Sequence, residues 1–216
     1  MTILRLLFIA AFALPGMGSP AFAGEKVEPG LYRATEGPDV ASMLQIGEDG
    51  HFRYMLSVGA LDEQAEGYWR RAGDGVALFS DPKPVPPAFS VDAQERTGDA
   101  PFSLVVAWPG GQGIAGIDFR LGLASGEVIE GYTQYYGWSL GSEDRGRPAW
   151  VELTDPINRI SSPRLAIDAD VRILRIRYTP NDLGKQDFNG AMVLSREGGV
   201  EFHHPDGVIR YVPVRR

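Results

Sequence analysis

Turn-forming residues recur about every 8 to 15 positions along this chain, and between them apolar residues alternate with polar ones instead of returning at helical spacing. That rhythm restricts the fold more than any other feature. Phe52, Tyr54, Leu56 and Val58 alternate with His51, Arg53, Met55 and Ser57 after a Glu48-Asp49-Gly50 turn, which predicts a half-buried strand. Asp74-Gly75 is a hairpin signal joining Gly67–Arg70 to Val76–Phe79. Phe102, Leu104, Val106 and Trp108 alternate, as do Ile117, Phe119, Leu121 and Leu123 beyond a Pro109-Gly110-Gly111 turn. Near the end, Glu197-Gly198-Gly199 and Pro205-Asp206-Gly207 divide three short strands. No stretch supports a helix of three turns, so the fold class expected is all-β.

The first 23 residues stand apart. Arg5 supplies a positive start, Leu6 to Leu14 an apolar core, and Pro15-Gly16 a break before the small-x-small stretch Ala21-Phe22-Ala23. This is the pattern of a cleavable secretory signal, with the mature chain beginning at Gly24. The apolar run is shorter than the roughly 20 residues that span a bilayer.

The chain has no cysteine, which excludes disulfides, thiolate metal sites and lipid attachment through cysteine, so a packed core must hold the fold. Removing the leader takes one basic residue and no acidic one, moving the net charge from −7 to −8. That balance opposes nucleic acid and anionic membrane as partners. An outer-membrane barrel is disfavoured too, because such strands need about ten residues with an apolar outer face. Periplasmic residence is expected, with full secretion as the alternative.

The run from Trp108 to Phe119, WPGGQGIAGIDF, followed by Glu130 to Trp138, EGYTQYYGW, resembles transthyretin-like and carboxypeptidase-regulatory-like β-sandwich modules. In those a Gly-centred turn precedes a Thr-x-x-x-Gly-aromatic hairpin; the acidic residue common after the Thr is Gln134 here. Residues 42–80 and the three C-terminal strands share spacing and turn chemistry, and resemble small calycin-like or lipocalin-like barrels of exported bacterial proteins. The organisation expected is a small barrel-like sheet system built from residues 24–95 and 180–216, with a transthyretin-like sandwich, residues 96–179, inserted between its N- and C-terminal parts. Two consecutive β-domains are the alternative. The resemblances imply a protein that binds or scaffolds.

Asp81-Pro-Lys-Pro-Val-Pro-Pro87 reads as a stiff connector, or as a docking motif. Gly137-Trp138-Ser139-Leu140-Gly141 matches the G-x-S-x-G elbow of α/β-hydrolases, with Asp168, Asp170, Asp182 or Asp187 and then His203 or His204 in the required order. The elbow needs a helix after its serine, and Ser142 to Pro148 has no helical periodicity, so a hairpin tip is the expected reading. His203 shares a strand face with Glu201 and would need His51 beside it to hold zinc; exposed strand histidines are expected instead. Asn181, Asp182 and Asp187 lack the carboxylate spacing of a calcium loop and fit a turn. No catalytic residue, metal or cofactor is expected.

Tyr132, Tyr136 and Trp138 fall on one face of a regular strand, with Tyr135 on the other, and are the candidate binding residues: exposed Tyr and Trp on a sheet stack on sugars or grip proteins, whereas buried ones pack the sandwich. The function expected is an exported, soluble, non-enzymatic binding or interaction protein of the cell envelope, its partner an unknown small ligand or envelope protein. A structural envelope protein and an exported serine hydrolase using Ser139 are the alternatives.

Overall fold

A computed structural model describes residues 26–215 except 36, 38, 97–100 and 142–145. The signal segment lies outside the described residues. The strands, in chain order, are β1 (Gly30–Ala34), β2 (Val40–Ile46), β3 (His51–Val58), β4 (Leu61–Ala72), β5 (Gly75–Ser80), β6 (Ala88–Glu95), β7 (Ser103–Ala107), β8 (Asp118–Leu123), β9 (Val128–Tyr132), β10 (Trp138–Ser139), β11 (Pro148–Asp155), β12 (Ile160–Ser161), β13 (Leu165–Ala166), β14 (Ile173–Thr179), β15 (Asn189–Arg196), β16 (Gly199–His204) and β17 (Gly207–Pro213). No helix occurs among the described residues, hence none long and apolar enough to cross a membrane. The chain is all-β.

Eight strands close into a barrel in the order β1-β17-β16-β15-β5-β4-β3-β2. Closure removes the unpaired edges that an open sheet would leave to aggregate. The alternation read from the sequence supplies the wall: Phe52 and Tyr54 point inward and are buried, while Arg53 and Met55 point out. Leu44, Ile46, Phe52, Leu78, Phe188, Val193, Phe202 and Tyr211 fill the interior. Phe188 sits at its centre, meeting Tyr54 and Phe202 edge-on at centroid distances of 5.3 and 5.2 Å.

The remaining strands form two sheets, β10-β7-β14-β6 and β12-β11-β8-β9, with β13 also on β11, arranged like a sandwich. Leu104, Val106, Phe119, Leu121, Val151, Leu153, Leu174 and Ile176 meet between them in a second core, separate from the barrel's. Phe89 stacks on Tyr178 at 4.2 Å, and Trp108 on the same ring at 5.2 Å. Strand β6, grouped by the sequence reading with the barrel, pairs with β14 instead. The prolines explain why: Pro82, Pro84, Pro86 and Pro87 lack amide donors, so the barrel wall ends at Ser80 and pairing resumes in the second sheet system.

The chain returns through residues 181–187, which run along β4: Gln64 N–H donates to the Gly184 carbonyl and Gln186 N–H to the Gln64 carbonyl, both at 2.8 Å. Arg159 forms an ion pair with Asp206 across the same end of the barrel. A cleft of about 510 Å³ lies there, with Glu63, Asp206, Arg159, Lys83, Pro84 and Pro86 among its walls.

Candidate functional site

Two places carry side chains that packing alone does not account for. The first is the loop between β9 and β10. Its anchor is Thr133, fully buried, whose hydroxyl donates to the Ile114 carbonyl at 2.7 Å and accepts from Ile117 N–H at 3.2 Å. Main-chain bonds add to this grip: Thr133 N–H to the Ile117 carbonyl at 2.9 Å, and Gly116 N–H to the Thr133 carbonyl at 2.8 Å. Gly137 N–H closes the turn onto the Gln134 carbonyl at 2.8 Å. Gly137 has φ +92°, and a Cβ there would lie 2.7 Å from the Leu104 carbonyl oxygen, so glycine is required by the turn.

These restraints interrupt the strand that simple alternation would continue from 127 to 138. Tyr132, Tyr135 and Tyr136 are 59, 72 and 87 % exposed. Trp138 goes the other way, packing at 4.8 Å on Phe119 at the sandwich core. Of the three rings grouped by parity, Tyr132 and Tyr136 therefore share the surface, joined by Tyr135, while Trp138 is a packing residue.

Tyr132 sits opposite Asp118 and two places from Glu130, which is opposite Arg120. Arg120 pairs with Glu130 and Glu152, each at 3.1 Å, and Glu152 with Arg164 at 2.9 Å. Arg164 covers the Trp150 ring at 3.8 Å. Tyr132 thus adjoins a charged band with its own aromatic ring on the β8–β9–β11 sheet.

The second place is the barrel end at the cleft. His204 and Glu63 are 2 and 4 % exposed in their side chains, and His204 Nε2 lies 3.1 Å from Glu63 Oε2. Asp206 N–H donates to His204 Nδ1 at 3.2 Å, and Asp206 Oδ2 is 3.6 Å from the same nitrogen. The Tyr54 hydroxyl donates to Glu63 Oε2 at 3.4 Å. Burial, then the neighbouring Tyr211 and Glu63, pushes the Tyr54 phenol far above its ordinary value. Tyr54 and His204 stack at 5.6 Å, and Phe188 and Phe202 meet the imidazole edge-on.

This corrects the reading of His204 as an exposed strand histidine. His203 and His51 are exposed, but β16 and β3 are not neighbours in the barrel, so the strand pairing does not bring His51 beside His203. Sequence reasoning missed Glu63 and read Asp206 only as a turn residue. A signal for His204 was present: Val200 and Phe202 face inward, and period two carries His204 to the same side. Glu63 offered none, because its same-face neighbours Ala65 and Gly67 are small.

The G-x-S-x-G stretch lies around the short edge strand β10, which pairs antiparallel with β7 rather than with a strand adjacent in the chain. Ser139 ends the two-residue β10, and its hydroxyl lies 3.0 Å from that of Ser103. Asp168, Asp182 and Asp187 are held by Arg96, Lys185 and Lys83 at 2.9, 2.7 and 3.0 Å, and Asp170 is an exposed turn residue with φ +66°. The loop once weighed for calcium is stapled to the proline-rich connector instead. Asn181 Nδ2 donates to the Pro86 carbonyl at 2.8 Å, and Val85 N–H to Asp182 at 2.9 Å. The Lys185 ammonium and that amide hold the Asp182 carboxyl below the usual carboxylate value.

No protein-family model, curated protein or solved structure matches this chain.

Proposed function

We propose that this chain is an exported, soluble, non-enzymatic binding protein of the cell envelope, resident in the periplasm, that captures its partner on the tyrosine-bearing loop between β9 and β10. The observation that carries this reading is the exposure of Tyr132, at the end of β9, and of Tyr135 and Tyr136, on the loop after it, at 59, 72 and 87 %, with the turn fixed from below by the buried Thr133. Tyrosine offers a large amphipathic contact at low entropic cost, and a loop already rigid spares the cost of ordering it on association. The filled barrel interior favours capture outside the barrel over burial of a ligand within it. The closed eight-stranded barrel is compatible with the calycin-like resemblance, and the transthyretin-like resemblance of the inserted segment belongs to the same proposal. The signal at residues 1–23 supplies the route of export.

Affinity capture from an envelope extract of the source cell tests it. Wild-type protein should retain a defined partner, and Tyr132→Ala/Tyr136→Ala should lose it at unchanged melting temperature. A partner retained equally by both proteins would remove the loop from the function.

A further inference from the structure

Among the described residues, His204 Nε2 is the buried side-chain polar atom without a hydrogen-bond partner. Orphaned buried polar atoms are costly, and rare enough to need a reason. Here the reason stands beside it. Glu63 Oε2 is 3.1 Å away, yet nitrogen and oxygen are not aligned for an N–H···O bond. A ring nitrogen and a carboxylate oxygen that approach closely without bonding each other are placed to share a third atom as its ligands. Ligands about 2.0–2.2 Å from a tetrahedral ion lie roughly 3.3–3.5 Å apart, near the separation seen. Glu63, His204 and Asp206 each offer a ligand atom within 4.8 Å of the others.

The surroundings favour a cation. Glu63 is a buried acidic residue; among the described residues, the side-chain hydrogen bond to it is the long contact from Tyr54, and no lysine or arginine pairs with it. Glu63 and Asp206 both line the cleft of about 510 Å³, which gives an ion and its waters a way in. A buried charge is tolerated when it is paired or coordinates a metal.

We propose that Glu63 and His204 Nε2 bind a first-row divalent transition-metal ion such as zinc at the end of the barrel, with water from the cleft completing its coordination and Asp206 bracing the imidazole from behind. In the metal-free ring, the Asp206 amide donating to Nδ1 sets the proton on Nε2. Binding moves that proton to Nδ1, so none is lost from the ring. Asp206 Oδ2, 3.6 Å away, becomes its acceptor, and the 3.2 Å amide contact is given up. Imidazole with carboxylate suits zinc, cobalt, nickel and copper better than magnesium or calcium. Two protein ligands plus water make an exchangeable site, with micromolar rather than nanomolar affinity.

Zinc titration of the chelator-treated full mature protein by isothermal calorimetry tests this. One equivalent should bind, Glu63→Gln should weaken binding at least tenfold, and Asp206→Asn by roughly tenfold. His203→Ala and His51→Ala, on exposed residues, should leave it unchanged. Because replacing His204 risks the core, its part is read in the unaltered protein: zinc should shift the ¹⁵N resonance of His204 Nε2 and move the ring proton to Nδ1. No saturable binding, binding unaffected by Glu63→Gln, or zinc shifts confined to His51 and His203 would overturn the proposal.

Discussion

Thr133 shows how one hydroxyl shapes a surface 87 % exposed at its tip. It serves Ile114 and Ile117 at once, so Thr133→Val, which keeps the shape and removes the oxygen, leaves a buried carbonyl unpaired and a buried N–H short of its bond. A loss of about 1–3 kcal/mol is expected in urea denaturation. Buried tyrosines set a limit of another kind. Tyr178 is pushed above its ordinary value by burial, then by Asp155, to which its hydroxyl donates at 3.0 Å; Tyr54 is raised likewise. A phenol that keeps its proton when folded but loses it near pH 10 when unfolded makes the folded state bind more protons above that pH. Its contribution is therefore full below pH 10 and falls as pH rises towards the folded value, by at most about 1.4 kcal/mol per pH unit for each retained proton. Stability measured by denaturant from pH 8 to 11.5 should decline above pH 10, and Tyr178→Phe should make the decline shallower. At this scale the sequence was only partly legible. Alternation identified which residues share a face, and extended one step beyond Phe202 it places His204 inside. It could not show that a hydroxyl would end β9 and turn Tyr136 outward.

Among the elements, the hairpin of β4 and β5 was read correctly from Asp74-Gly75, since short-range turn chemistry dictates it. Within it Gly67 has φ +155°, and a Cβ there would come within 2.1 Å of the Phe79 carbonyl oxygen, on the backbone of the paired strand. Gly67→Ala must therefore part β4 from β5, and should cost more than about 2 kcal/mol. An unchanged thermal midpoint would refute that. The placement of β6 was not legible, because its exposed and half-buried residues after Phe89 give no clean period. Its partner β14 lies some 85 residues on, and nothing local reports a contact that distant.

For the whole molecule, the separation of the cores carries a consequence. Phe79 pairs with Asn189, and Ser80 N–H donates to the Phe188 carbonyl at 2.8 Å, so the intervening chain leaves and re-enters the barrel at adjacent points. Replacing residues 83–185 by a short Gly/Ser linker should leave a barrel that melts cooperatively with a β-type circular dichroism spectrum, although less stable for losing the Gly184 contact on β4. A chain that fails to fold would show instead that the barrel depends on the insertion. Export makes its own prediction: N-terminal sequencing of protein from the periplasmic fraction should begin at Gly24, and an intact Met1 would contradict it. The central claim, partner capture on the tyrosine loop, is tested most directly by a photo-reactive benzoylphenylalanine placed at Tyr136 and, as a control, at Val208, which is 53 % exposed on the barrel. Irradiation in the source cell should give a discrete adduct from position 136 and none from 208; no adduct at 136, or the same one at both, would contradict it.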